Sequence, residues 1–266
     1  ELGMLPQALE RFTKAFSQAH GAVLVTGPTG SGKSTSLYGA LNQLNTIEKH
    51  IITIEDPVEY ELDGVKQMQV NPKAGLTFAN GLRSMMRADP DIIMVGEIRD
   101  RETAQIAVEA ALTGHLVLST LHTNDAPGAI ARLIEMGVEP FLVASAVSCV
   151  LAQRLARCLC EHCKQAVVLD GDVVRANGYD VDDAQVTVYE PVGCGRCSGT
   201  GYKGRIGLYE VMPVTDEIRS LAVARASADA ISEAAERSGM RRLRAEGLEK
   251  VRAGVTSFAE LARVTI

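Results

Sequence analysis

Short apolar runs, each ending abruptly in polar residues, punctuate the first half of the chain. Val23–Thr26, His50–Ile54, Ile92–Val95 and Leu116–Thr120 lack the alternation of a half-solvated strand and read as strands buried on both faces of a parallel sheet. Between them the apolar period lengthens to that of a helix. Leu37, Leu41 and Leu44 mark one face of a helix that starts near Ser34 and ends near Asn45. Phe78, Leu82, Met85 and Met86 share a face of another, capped by Thr77, whose opposite face carries Arg83 and Arg87. A third runs from Glu102 to Leu112, capped by Asp100 and stopped by Gly114. Residues 1–20 offer one short amphipathic helix (Leu5, Leu9, Phe12, Phe16), and Lys66–Val70 a short strand. Further helices are predicted over Pro127–Met136, closed by Gly137, and over Pro140–Arg157. The acidic stretch Gly171–Asp183 predicts no element. Beyond Gly207 the chain reads as helical, over Asp216–Val223, Ser227–Arg237 and Met240–Ala253, with Thr256 and Ser257 opening a last short helix.

Strand and helix in alternation predict an α/β fold. The expected division is a core over 1–157, a cysteine-bearing module over 158–206 and a helical subdomain over 207–266. A chain of 266 residues with 46% hydrophobic but only 4% aromatic residues, and no Trp, must build an aliphatic interior, and at this length buries about 70–75% of its unfolded surface. The net charge of −6 argues against a nucleic-acid surface. The N-terminus carries no charged-then-apolar signal, and the longest apolar run, Phe141–Ala152, is too short to span a bilayer, so the expected location is cytoplasmic. Because residues 1–20 make no complete domain, the chain is expected to be part of a longer protein.

The chemistry begins where the first strand ends. Gly27-Pro28-Thr29-Gly30-Ser31-Gly32-Lys33-Ser34-Thr35 fits the phosphate-cradling loop at every specified position, with a strand before and a helix after. Its glycines let successive N–H groups turn inward on an anion, and the helix N-terminus adds its dipole. Lys33 would reach the β- and γ-phosphates and the Ser34 hydroxyl would ligate Mg²⁺, which makes this an expected ATP site. The next strand runs into Glu55-Asp56-Pro57-Val58-Glu59-Tyr60; a proline turn accounts for Asp56 and Pro57 but leaves Glu55 and Glu59 unexplained. Glu97 and His122 follow two further strands. A parallel sheet gathers such tips at its carboxyl edge, where open α/β folds bind ligands, so their convergence predicts an active site.

Cys160-x-x-Cys163 and Cys194-x-x-Cys197 are two knuckles about thirty residues apart, and four thiolates so spaced fit a structural, tetrahedral Zn²⁺ site. Cys149 and Cys158 are left over, and His162 reads as a bystander. The second knuckle continues Cys197-Ser-Gly199-Thr-Gly201, a pattern shared with the chaperone zinc repeat, of which a single copy is present here. Arg241, Arg242 and Arg244 form a basic cluster read as a solvated helix face.

Together GPTGSGKST (27–35), TIEDPVEY (53–60), LRSMMRADPDIIMVGEIRD (82–100), TGHLVLSTLHTNDA (113–126) and the tetracysteine with GCGRCSGTGYKGRIGLYEV (193–211) resemble the secretion ATPase superfamily. The resemblance is to its type II secretion and type IV pilus assembly motors, since retraction motors typically lack the four cysteines. It implies a RecA-like P-loop core in which Gly27–Thr35 is the Walker A loop, Glu55 and Glu59 lie in the Asp box with Glu59 the catalytic glutamate, and Glu97 is the Walker B acid holding Mg²⁺. His122 belongs to the His box that senses the γ-phosphate, and Arg83 and Arg87 match interface arginines. Between the two Asp-box acids Glu59 is favoured as the base, because Glu55 sits closer to the strand end and suits a metal-shell or structural role.

The family is hexameric and moves an inner-membrane platform protein, so a homo-hexamer, that partner, and a peripheral position at the cytoplasmic face of the membrane are implied. The family's preceding domain, which covers the nucleotide, is missing from the match, so slow hydrolysis is expected of this chain. A RecA-like nucleic-acid-dependent ATPase with a zinc module is the competing reading; net charge and scarce aromatics disfavour it. A metabolic P-loop kinase would leave His122 and the cysteines without a role.

Overall fold

The computed structural model describes residues 2–176 and 178–265. It contains two compact units. The larger takes Pro6–Ala152 and Val211–Met240; the other takes the first few residues, Gln153–Glu210 and the segment from Arg241 onward.

The strands are β1 (Gly21–Thr26), β2 (Ile51–Glu55), β3 (Lys66–Gln69), β4 (Ile92–Val95), β5 (Leu116–Leu121), β6 (Val147–Leu159), β7 (Gln165–Asp170), β8 (Gln185–Glu190) and β9 (Tyr202–Pro213). In the larger unit β2 pairs in parallel with β3 and β4, β4 with β5, and β1 with both β5 and β6, within a sheet ordered β3-β2-β4-β5-β1-β6-β9. β1, β2, β4 and β5 are buried at every position, as their unbroken apolar runs require.

Over Pro6–Ala152 this unit has the helices α1 (Pro6–Phe16), α2 (Lys33–Leu44), α3 (Phe78–Met85), α4 (Arg101–Leu112), α5 (Pro127–Glu135) and α6 (Pro140–Ala146). The expected caps are in place: Thr77 accepts from the Asn80 N–H at 3.3 Å and Asp100 from that of Thr103 at 2.9 Å. Of the α1 stripe, Phe12 and Phe16 are buried, but Leu9 lies exposed.

Two expectations fail. The helix over Pro140–Arg157 stops at Ala146, and Val147 begins β6, whose first half pairs with β1. A run such as Val147-Ser-Cys-Val-Leu-Ala satisfies either period, and the open edge of β1 decides for strand. The helical reading beyond Gly207 also fails at its start, because Leu208–Met212 is buried within β9. Helices resume as α8 (Asp216–Val223), α9 (Ala228–Arg237), α10 (Leu243–Arg252) and α11 (Phe258–Val264).

In the second unit α7 (Gly171–Ala176), which falls within the stretch for which no element was expected, links β7 to β8, an antiparallel pair that flanks that stretch. Val186 and Val188 alternate inward onto Leu248, Val251 and Leu261 of α10 and α11. Buried Glu260 accepts from Arg157 Nη2 at 2.7 Å and Arg263 Nη2 at 2.6 Å; burial alone would raise its pKa, but these donors outweigh it and hold it at about 2. Among the described residues no helix is long and apolar enough to cross a membrane.

Candidate functional site

The phosphate loop leaves β1 at Thr26 and enters α2 at Lys33. Gly27, Gly30 and Gly32 have φ of 144°, 76° and 86°, conformations that a Cβ would strain, which is why this turn needs glycine. A Cβ on Gly30 would meet nothing within 4 Å, so it is the backbone angle and not crowding that calls for glycine there. Gly32 caps α2 in the left-handed conformation, without a side-chain cap bond. Lys33 folds back, donating from Nζ to the carbonyls of Gly27 at 2.9 Å and Pro28 at 3.1 Å. Ser34 and Thr35 are exposed at the helix start.

Parallel register places the other tips beside this loop. Thr26 is level with Leu121, so His122 leaves β5 next to the point where Gly27 leaves β1. Val95 is level with both Ile54 and Ser119, which aligns the ends of β2, β4 and β5. The Ser119 and Thr120 hydroxyls donate to the carbonyls of Val95 and Gly96, each at 2.7 Å, and lock the β4 tip to β5. Glu97 thereby meets His122, whose Nε2 contacts Glu97 Oε1, while Arg99 Nε donates to Glu97 Oε2 at 2.5 Å. Arg99 also faces Asp56 at 3.8 Å.

The two Asp-box acids differ in kind. Glu55 is 4% exposed, and its oxygens accept from the Tyr38 hydroxyl, from Thr53 Oγ1 at 2.5 Å and from Gln67 Nε2 at 3.1 Å. Burial, reinforced by the Glu55 carboxylate, pushes the Tyr38 hydroxyl well above its ordinary pKa. Glu59 is exposed beyond the strand end, held through its backbone, whose N–H donates to Tyr38 Oη at 3.3 Å. Arg83 pairs with Glu102 on α4 and Asn80 of its own helix, and Arg87 is exposed in the turn Met86–Ala88; neither has an ion pair with the strand-tip acids. Tyr38, Gln67 and Arg99 escaped the sequence reading. Their signals were slight: one polar tip in an apolar helix face, a Gln repeated at strand spacing, and a cation two residues past Glu97.

In the second unit the four predicted cysteines meet, their sulfurs all within 4.8 Å of one another. Cys160–Cys194 is 3.9 Å, while Cys163–Cys197 and Cys194–Cys197 are 3.8 Å. A tetrahedron with Zn–S bonds of about 2.3 Å has edges of about 3.8 Å, so the group fits Zn²⁺ and is far too open for disulfides. Burial raises the Cys197 thiol, but the N–H groups of Cys194 and Gly201, each 3.2 Å from its sulfur, outweigh this and leave it at about 6. Gly193 and Gly201, with φ of 102° and 75°, turn the backbone so that such amides reach sulfur. His162 lies outside the cluster and contacts Arg196 at 2.6 Å.

The chain is 54% identical to the type IV pilus assembly ATPase PilB of Thermus thermophilus, over 100% of this chain and 30% of that protein. It is 50% identical to type II secretion system protein E of Dickeya dadantii, over 99% of this chain and 52% of that one. The chain thus spans about half, or less, of the curated relatives it matches. Among solved structures it resembles the pilus retraction motor PilT with bound ADP (27% identity, TM-score 0.69, covering 97% of this chain and 64% of that one). It also resembles the Legionella pneumophila ATPase DotB (25% identity, TM-score 0.68, covering 97% and 62%). The family model for "Type II/IV secretion system protein" matches residues 1–263, and the chain belongs to that family.

Proposed function

We propose that this chain is the ATP-hydrolysing motor domain of a type IV pilus assembly or type II secretion machine. It would act as a homo-hexamer at the cytoplasmic face of the inner membrane and move a platform protein there. The observation that carries the reading is the Glu97–His122 contact at the β4 and β5 tips, beside the phosphate loop. Phosphoryl transfer asks for positioning and charge stabilisation rather than covalent chemistry, and these residues supply both.

The loop Gly27–Thr35 would hold the phosphates, with Lys33 as its mobile charge. The Ser34 hydroxyl and Glu97 carboxylate are the hard oxygen donors that Mg²⁺ takes. Bound Mg²⁺ would neutralise charge developing on the phosphate oxygens. Glu59, exposed and backbone-anchored, suits water activation; Glu55, saturated by three donors, suits a structural role. His122 would report the γ-phosphate to Glu97, and Arg83 and Arg87 would serve subunit interfaces. Cys160, Cys163, Cys194 and Cys197 would bind structural Zn²⁺. Catalytic arginines from outside this chain, worth about 10³–10⁵ in rate, would leave the chain by itself a slow hydrolase.

The PilB, protein E and PilT likenesses support this reading over a nucleic-acid motor. Calorimetric titration with Mg-ATP tests it. One saturable site per chain is expected, and Lys33→Ala, removing a charge-assisted bond worth about 1.5–3 kcal/mol, should weaken it about 10- to 100-fold. Unchanged affinity in Lys33→Ala, or salt-sensitive duplex DNA binding by the native chain, would overturn it.

A further inference from the structure

The segment bearing Glu59 has no regular structure of its own, yet the side chains that bond its backbone include two strand glutamines and one helix hydroxyl. On β3, Gln67 and Gln69 point to the same side because strand residues alternate. Gln67 Oε1 accepts from the Leu62 N–H at 2.6 Å, and its Nε2 faces the Tyr60 carbonyl at 3.2 Å. Gln69 Oε1 accepts from the Val58 N–H at 3.3 Å. Residues 58–62 are therefore pinned on both sides of Glu59.

The remaining anchor crosses to the phosphate loop's helix. Tyr38 stands five residues beyond Lys33 on α2, buried, and its hydroxyl accepts from the Glu59 N–H and from Gln67 Nε2, each at 3.3 Å. That hydroxyl can accept both because it donates its own proton to Glu55, which also takes the Gln67 Nε2 donor. The two hydrogens of Gln67 Nε2 are shared among three oxygens, those of Tyr38, Glu55 and the Tyr60 carbonyl, and the Tyr60 ring packs edge-on against Tyr38 with centroids 4.6 Å apart.

We propose that Gln67 and Tyr38 are positioning residues for hydrolysis: a bracket, anchored on buried Glu55, that fixes the Glu59 backbone relative to the helix starting at the phosphate loop. This rests on the reading of Glu59 as the water-activating residue. Neither residue touches the phosphates; each acts through where Glu59 is held. A reacting group displaced by about 1 Å loses on the order of 10²-fold in rate, whereas phosphate affinity, set by the loop, should not move.

The test is single-turnover hydrolysis of Mg-ATP, with equilibrium Mg-ATP affinity measured alongside, for Gln67→Leu, Tyr38→Phe and Glu59→Gln and for each bracket change combined with Glu59→Gln. The expected result is a 10- to 100-fold slower chemical step for Gln67→Leu and Tyr38→Phe with affinity changed less than twofold. In the Glu59→Gln background neither should slow the step further, because residues acting as a unit are not additive. Tyr38→Phe conserves volume, so it retains the test if Gln67→Leu folds poorly. Rates unchanged in both bracket variants while Glu59→Gln is slow overturn the bracket alone. Full additivity with Glu59→Gln does the same, revealing a general structural effect. A Glu59→Gln chain as fast as the native one overturns the Glu59 reading and the bracket with it.

Discussion

Glu59→Gln is expected to slow single-turnover ATP hydrolysis by about 10²- to 10⁴-fold, the usual worth of a positioned general base, while Mg-ATP still binds. The exchange keeps size and removes the proton-accepting charge. Glu55→Gln is expected to act differently. Its carboxylate is 4% exposed and receives Tyr38, Thr53 and Gln67, so an amide there places an NH₂ group against donors and leaves at least one buried donor unmatched. Thermal stability should therefore fall in Glu55→Gln, by about 1–3 kcal/mol for an unmatched buried group. The Glu59 variant, exposed, should unfold like the native chain. Hydrolysis abolished only by Glu55→Gln, at native stability, would reverse the assignment.

The second large effect concerns metal. The purified chain is expected to carry about one Zn²⁺ per molecule, and Cys197→Ser to lose it. Cys197 is the best-prepared ligand, since two backbone amides already stabilise its thiolate. The loops Cys160–Cys163 and Cys194–Cys197 have no apolar core of their own, and metal binding in such modules is folding free energy. Chelation or Cys197→Ser should lower the melting transition of the second unit by about 10 °C or more. Because metal binding displaces thiol protons, acidification should release the ion, with affinity falling as pH drops. Elemental analysis that finds no zinc in folded, never-chelated protein would contradict the assignment.

Much of the site was legible in the sequence because its information is local. The glycines of the phosphate loop are demanded by positive φ, and Glu97 and His122 by their place just past unbroken apolar runs. The cysteines were legible because knuckle spacing is a ligand geometry. What escaped was set by partners distant in sequence. Val147–Leu159 is a strand because β1 offers it an edge, which no window of its own residues encodes. β8 was readable in principle, with Val186 and Val188 alternating inward, but its short acidic surroundings masked the period. Tyr38 and Gln67 carry no motif; only the fold brings an α2 hydroxyl and a β3 amide to the same carboxylate.

Whether the four strand tips form one ATP-hydrolysing site is decided by a structure of the chain with Mg²⁺ and a non-hydrolysable ATP analogue. Phosphates are expected against the amides of residues 27–35, with the metal between Ser34 and Glu97. The Glu59 carboxylate should face the γ-phosphate across a water. Nucleotide seated elsewhere, or at the loop with Glu59 turned away and Glu55 released from Tyr38 toward the phosphate, would contradict this arrangement.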